Sequence, residues 1–277
     1  MAGRLSLSST APPAAAADPE RLARSVALAR GGDRAALSRA LTLIENGALV
    51  PGEVSAAMSA EWQDAGRHGH RIGLTGAPGA GKSTLASALI GEFLHRGRSI
   101  AVLAVDPSSP ITGGAVLGDR VRMSAHADDP RVYIRSMASR GNPGGIAATT
   151  GASALLLAAC HYDIVLIETV GTGQSEVAIV RAADTIIVVV PPGAGDEVQA
   201  LKAGVLEIAH VLVVSKSDLP AAARTASELS SSLALRAGRR GDVPVVQVSG
   251  LTDQGIKALV DALENQRKAN ADSSLHL

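Results

Sequence analysis

One octapeptide constrains this chain more than any other feature. Gly76-Ala77-Pro78-Gly79-Ala80-Gly81-Lys82-Ser83 comes directly after the apolar run Ile72-Gly73-Leu74-Thr75 and directly before a segment with Leu85, Leu89 and Phe93 at helical spacing. Strand, glycine-rich turn, helix is the context in which G-x-x-x-x-G-K-S cradles phosphates instead of merely turning the chain. Glycines let the backbone come close, so successive N–H groups converge on an anion. The following helix adds the positive end of its dipole. In this reading Gly76, Ala77, Pro78, Gly79, Ala80, Gly81, Lys82, Ser83 and Thr84 line the phosphates. Lys82 reaches the β- and γ-phosphates, and Ser83 offers its hydroxyl to Mg²⁺. The alternative, a structural glycine-rich turn, leaves the flanking strand and helix patterns unexplained.

The rest of the chain supplies the architecture that such a loop requires. Short runs rich in β-branched residues lie at 71–75, 99–105, 132–135, 163–168, 185–190, 210–215 and 243–248. Their apolarity is nearly continuous, as expected of strands buried on both faces of a mostly parallel sheet. Helical patterns at 84–96, 149–161, 197–208, 221–237 and 253–267 separate them. Strand–helix alternation implies crossovers and a doubly wound α/β fold, a P-loop NTPase sheet flanked by helices. Ahead of it, Leu22, Val26 and Ala29 share one helical face, and Leu37, Leu41 and Ile44 another. Gly31-Gly32 separates the two helices and Asn46-Gly47 ends the second. The expected organisation is a disordered tail (1–19), an N-terminal helical extension (20–66), the P-loop domain (67–268) and a flexible C-terminus (269–277).

Composition excludes several other classes. With 26 basic and 26 acidic side chains the formal net charge is zero, so no polyanion-binding surface is expected. Aromatics are 1% of 277 residues, too few for base-stacking platforms, so nucleic acid is not an expected partner. The single cysteine, Cys160, rules out an internal disulfide or a Cys-based zinc site. The chain has no signal-like N-terminus and no run of roughly 18 apolar residues, so neither export nor a membrane is expected. Together these features suggest a cytoplasmic protein.

Ligands of open α/β sheets sit at the carboxyl ends of strands. Asp106 ends one predicted strand and Glu168 another, so both acids are placed to meet the Mg²⁺, directly or through water. Lys82, Glu168 and Asp106 are the catalytic candidates. Glu168-Thr169-Val170-Gly171 has the E-x-x-G spacing of a γ-phosphate sensor, in which Gly171 offers its N–H. Asp119, after the glycine-rich stretch Gly113–Gly118, is a further metal candidate; pairing with Arg120 or Arg122 is its alternative role. Thr172 stands where Ras-type enzymes carry a water-orienting Gln, and Gln174 lies farther on. Slow intrinsic hydrolysis, raised by a partner or a rearranged loop, is therefore expected.

The base is read from two more strand ends. Ser215-Lys216-Ser217-Asp218 fits N-K-x-D with Ser for Asn. Asp218 can accept from guanine N1–H and the exocyclic amine together, whereas adenine presents an acceptor at N1. The Lys216 stem can cover one face of the base. Ser249-Gly250-Leu251 fits the loop that backs the guanine carbonyl with an N–H. GTP is favoured over ATP on these grounds.

The assembled set resembles the MeaB/MMAA-type (ArgK-like) P-loop GTPases of the G3E family, chaperones of adenosylcobalamin-dependent acyl-CoA mutases. Residues 71–85, 105–123, 139–150, 168–176 and 191–204 carry the resemblance, above all Val105–Ala115 (VDPSSPITGGA) and Glu168–Glu176 (ETVGTGQSE). The resemblance implies that Asp106, Asp119 and Glu168 serve Mg²⁺ and the switch loops. It also implies that Asp196, Glu197, Gln199 and Lys202 form a loop that senses the partner mutase. Such proteins use GTP to gate delivery of adenosylcobalamin and to eject damaged cobalamin. The corrin belongs to the partner, methylmalonyl-CoA mutase or a relative such as 2-hydroxyisobutyryl-CoA mutase, with a cobalamin adenosyltransferase as a further partner. The chain departs from the family at Ser215 (usually Asn) and Gly250 (usually Ala). Only the polar stretch 268–277 follows its last predicted helix, so dimerisation through the C-terminal arm of relatives is not expected, and the oligomeric state stays open. The rival readings are a nickel-insertion GTPase, a transport-system kinase and a nucleotide-stabilised scaffold. His68 and His70 form the only close histidine pair available to the first of these.

Overall fold

The computed structural model describes residues 19–46, 69–106, 123–138, 149–169, 176–193, 205–234 and 243–274. Among them, seven strands form one sheet: β1 (His70–Gly76), β2 (Ile100–Asp106), β3 (Val132–Ala138), β4 (Ile164–Glu168), β5 (Thr185–Val190), β6 (Val211–Val214) and β7 (Val245–Gln247). Their order is β3-β2-β4-β1-β5-β6-β7. Every pairing is parallel. The helices are α1 (Pro19–Arg30), α2 (Arg34–Glu45), α3 (Lys82–His95), α4 (Thr150–Ala159), α5 (Glu176–Ala182), α6 (Val205–Ile208), α7 (Ala221–Ala234) and α8 (Ile256–Ser274). None of these described helices is long and apolar enough to cross a membrane.

Period-two alternation explains why the strands read as unbroken apolar runs. Ile72 and Leu74 of β1, Val102 of β2 and Val189 of β5 join one core with Leu85, Leu89 and Phe93 of α3 and Leu259 and Leu263 of α8. The intervening residues face the other side. There Leu103 and Val165 meet Leu37 and Leu41 of α2 and Leu156 of α4. Farther along that side, Val188 and Leu212 meet Leu229 of α7. With both faces covered, the middles of the inner strands are apolar, and polar residues such as His70, Thr185 and Glu168 stand at strand ends.

Element ends differ from the sequence expectations in ways that packing explains. β3 runs on to Ala138 because β2 pairs with it as far as Asp106↔Ala138. α3 starts at Lys82, not Thr84, so Lys82 and Ser83 lie in its first turn. α5 was not anticipated. α8 continues to Ser274, into the stretch expected to be flexible.

α2 begins at an Asp33 cap, whose carboxylate accepts from the N–H groups of Ala35 and Ala36 at 2.9 Å each. Its neighbour Arg34 reaches the edge strand, donating to the carbonyls of Pro130 (3.2 Å) and Val132 (2.7 Å). Arg34 also lies 5.5 Å from the Tyr133 ring centroid. Arg135 of β3 returns a pair to Glu45 at 2.6 Å, both side chains about one-fifth exposed. A shielded, charge-assisted contact of this kind contributes about 1.5–3 kcal/mol. Arg34, in turn, occupies carbonyls at a sheet edge that would otherwise lack a partner strand.

The lower end of β1 carries a titrating group. His70 Nε2 lies 2.8 Å from Thr185 Oγ1 in the interior. Burial pushes the His70 pKa from 6.5 down to about 4, Asp184 opposing and Arg267, Arg71 and His210 reinforcing the shift. The unfolded chain thus takes up this proton near pH 6.5, the folded chain only near pH 4. Stability from this residue is full above that window and is lost as pH falls through it. From pH 7 to pH 5 the expected loss is about 2 kcal/mol, read as a fall in urea midpoint. His70→Gln should lack that component; equal pH slopes for the two proteins would contradict it.

Candidate nucleotide site

All the strands run parallel, so their carboxyl ends share one edge of the sheet, and those residues singled out in the sequence that the structure describes lie along it. In spatial order come Asp106 at the end of β2, Glu168 at the end of β4, the Gly76–Ser83 loop after β1, Ser215 to Asp218 after β6 and Ser249 to Leu251 after β7. Carboxylates sit at one end, the phosphate loop in the middle and base-reading residues at the other. Asp106 is placed here by its backbone. Asp119, Gly171, Asp196, Glu197, Gln199 and Lys202 lie outside the described residues, as do Thr172 and Gln174.

The loop takes its shape from three glycines with positive φ: Gly76 (145°), Gly79 (72°) and Gly81 (88°). At Gly76 a side chain is impossible, since its Cβ would lie 2.3 Å from the Val189 carbonyl oxygen on β5. Gly81 is the N-cap of α3 and makes no side-chain cap bond. Its left-handed conformation next to helical Lys82 is the alternation that turns successive N–H groups to one side. These N–H groups and the start of the helix dipole suit an anion. Around Gly79 and Gly81 there is open space where a side chain would project.

Lys82 folds back over this loop. Its Nζ donates to the carbonyls of Gly76 (2.9 Å) and Ala77 (3.0 Å), and the residue is 8% exposed. Beneath it, Ser83 Oγ donates to Glu168 Oε1 at 2.7 Å. β1 and β4 are direct neighbours with Leu74 opposite Glu168, which sets that distance. The Ser83 hydroxyl and the Glu168 carboxylate therefore lie side by side under the loop. A hydroxyl beside one buried carboxylate is an all-oxygen donor set. It suits Mg²⁺, which commonly keeps waters and phosphate oxygens in its shell. Among the described residues no cluster of three or more His, Cys, Asp or Glu side chains offers a fuller cage.

The base-reading segments are tied to each other and to the loop. Ser217 N–H donates to the Val248 carbonyl at 3.0 Å, and Ser249 N–H to that of Gln254 at 2.9 Å. Ser217 Oγ reaches Gln254 Oε1 at 3.3 Å. Lys216, at φ 51°, sends its Nζ 3.0 Å from the carbonyl of Gly79, bridging base end and phosphate end. Ser215 is buried and turns its hydroxyl back to the Val190 carbonyl at 3.4 Å. Gly250 lies so close to α3 that a Cβ there would come within 3.1 Å of both Thr84 Cγ2 and the Thr84 carbonyl oxygen. Asp218 and Leu251 are exposed.

Three features of this region escaped the sequence. Lys216 as a tie to Gly79 is a contact across the fold that no local pattern announces. Thr169, whose N–H and Oγ1 both donate to the Leu74 carbonyl at 3.1 and 3.2 Å, was legible only as part of E-T-V-G. The partnership of Gln254 with Ser217 had no signal.

This geometry has relatives. Residues 37–276 match the family described as methylmalonyl Co-A mutase-associated GTPase MeaB. The chain belongs to the MeaB family. Similar to this MeaB-family chain is a protein named "Probable GTPase" in Mycobacterium tuberculosis, 41% identical over 244 residues, 86% of this chain and 73% of that protein. The mouse protein named methylmalonic aciduria type A homolog, mitochondrial, is 37% identical over 248 residues, covering 84% of this chain and 60% of its own length. Among solved structures, a LAO/AO transport system kinase superposes with a TM-score of 0.62 at 27% identity, over 94% of this chain and 83% of that one.

Proposed function

We propose that this MeaB-family protein is a Mg²⁺-dependent GTPase with a slow intrinsic rate. Its nucleotide cycle gates adenosylcobalamin delivery to a B12-dependent acyl-CoA mutase and protects or reactivates that enzyme. The observation that supports the nucleotide part best is the order of groups along the carboxyl edge: acids, phosphate loop, base-reading residues. That order matches an extended nucleoside triphosphate. The mutase part rests on the family's description and on the name of the mouse relative.

The chain's own groups divide the work. The amides from Gly79 to Ser83 orient the phosphates, and Lys82 moves from the loop carbonyls to the β- and γ-oxygens. Ser83 and Glu168, with Asp106 and Asp119, would hold Mg²⁺, which would supply charge neutralisation at the phosphate oxygens. Gly171 reports the γ-phosphate. Asp218 selects guanine, with the Gly250 amide on its carbonyl. Asp196, Glu197, Gln199 and Lys202 meet the mutase.

The test is GTP turnover with and without purified mutase, starting from methylmalonyl-CoA mutase. The expected result is slow release of phosphate from the protein alone, stimulated at least about tenfold by the mutase, as activating partners do for other slow GTPases. Fast turnover alone, or no mutase response combined with no GTP-dependent complex, would contradict the proposal.

A further inference from the structure

Gly73 lies in the middle of β1, between Ile72 and Leu74, which point into the core shared with α3 and α8. Its own position therefore faces the opposite side of the sheet. Its register neighbours are Ile167 on β4 and Ile186 on β5, both buried. A residue without a side chain between two isoleucines leaves a slot one residue wide. Ile179 of α5 fills that slot. A Cβ added at Gly73 would lie 2.5 Å from both Cδ1 and Cγ1 of Ile179 and 3.0 Å from Ala183 Cβ. Ile179 is 0% exposed. As a β-branched residue in a helix it has one strongly preferred χ1 rotamer and cannot swing clear. Glycine inside a strand commonly marks such a close approach.

The slot is one of three ties between β1 and the segment joining β4 to β5. Before α5, Thr169 holds the Leu74 carbonyl through its N–H and its hydroxyl. After α5, Asp184 N–H donates to the Arg71 carbonyl at 2.8 Å. The Asp184 carboxylate accepts from Arg71 N (2.9 Å), Nε (3.1 Å) and Nη2. Leu74, Gly73 and Arg71 thus anchor, in turn, the start, middle and end of the connection. α5 straddles the seam between two cores: Ala182 packs in the one around α2 and α4, Ile179 in the one around α7, and Ala183 against both. The same strand becomes the phosphate loop at Gly76. The residues between Thr169 and α5 include Gly171, assigned to the γ-phosphate.

We propose that Gly73 and Ile179 are positioning residues for GTP hydrolysis. Their contact fixes the middle of α5 in register with the strand that turns into the phosphate loop at Gly76. Neither residue touches nucleotide. The inference rests on the proposed GTPase function.

The test compares Gly73→Ala, Ile179→Ala and the double variant by GTP turnover, GDP affinity and hydrogen exchange of the α5 amides. Gly73→Ala should lower kcat about 10- to 100-fold, because a displacement near 1 Å is enough to do so. GDP affinity should stay within about twofold, the signature of a contact that acts on the reaction and not on ground-state binding. α5 exchange should speed up. Ile179→Ala empties the slot and should also slow turnover. The double variant puts a methyl group where the isoleucine was and should recover much of both turnover and protection. Additive losses would mean that the two positions do not share one space, whereas a merely structural role would lower melting temperature and GDP affinity in step with turnover. Ile179→Val, a milder change, should fold readily and show a smaller loss of the same kind. Unchanged turnover and exchange in Gly73→Ala, or additive losses in the double variant, would overturn the inference. If the wild-type protein turns over no GTP at all, the functional reading fails, and α5 exchange in the same variants still decides whether the slot exists.

Discussion

Lys82→Ala is expected to reduce GTP turnover by about 10³-fold or more while leaving the fold intact. The ammonium is the cation that the loop itself supplies; Lys216 reaches the loop only from the base end, at the Gly79 carbonyl. The Lys82 ammonium is held there by the carbonyls of Gly76 and Ala77. In the proposed cycle it exchanges two neutral acceptors for phosphate oxygens, a gain that grows as charge builds up in the transition state. Loss of one preorganised group of this kind typically costs 10²–10³-fold, and a full charge at a shielded site exceeds that range. The alanine opens no cavity in the apolar cores, to none of which Lys82 belongs. The melting temperature without nucleotide should therefore shift by a few degrees at most. Lys82→Arg should not restore activity, because a planar guanidinium does not fit a loop shaped around a compact ammonium. Phosphate release and fluorescent-nucleotide binding decide the matter. Turnover within tenfold of wild type in Lys82→Ala would mean that the phosphates sit elsewhere.

Asp218→Asn is expected to change which base the protein prefers. A carboxylate accepts both guanine N–H donors, N1–H and the exocyclic amine. An asparagine amide offers one acceptor and one donor, which matches xanthine, where a carbonyl replaces the amine. GTP binding should weaken about 100-fold and xanthosine triphosphate should gain by a similar factor, since mispairing a polar group in a shaped site costs a few kcal/mol. The backbone supports this role: Leu219 N–H closes a turn onto the Lys216 carbonyl at 2.9 Å, and Ser217 is pinned to Val248. Ser215 is expected to contribute little, because its hydroxyl is turned toward Val190. Competition of the two triphosphates against labelled GDP measures the effect. An unchanged preference would remove Asp218 from the base site.

The parts of this protein that were legible in sequence are those written in local patterns. β5, Thr185–Val190, has the bounds expected from its run of β-branched residues, since each residue is buried and nothing competes with extension. The phosphate loop was legible because its glycines answer a steric demand, seen at Gly76 against Val189. α5 was not legible. Its seven residues, EVAIVRA, are too short to establish a helical period and apolar enough to pass for a strand. What seats it on the sheet is a set of contacts far away in sequence, among them the gap at Gly73. β3 read short because Ser136 breaks its apolar run, while pairing with Ala104 of β2 carries the strand onward. The tie from Lys216 to Gly79 spans 137 residues, beyond the reach of any spacing argument. The long-range contacts that escaped the sequence are the ones that bring the loop after β6, α5 and the phosphate loop into a single register.

The central claim is that guanine nucleotide with Mg²⁺ occupies the edge of the sheet over Ser83 and Glu168. Isothermal titration of purified protein with GDP and with a non-hydrolysable GTP analogue, each with Mg²⁺ and again with the metal chelated, tests it most directly. The account predicts saturable one-to-one binding that weakens on chelation and is lost for ATP. Absence of saturable heat with either guanine nucleotide, or equal affinity for ATP, would contradict it.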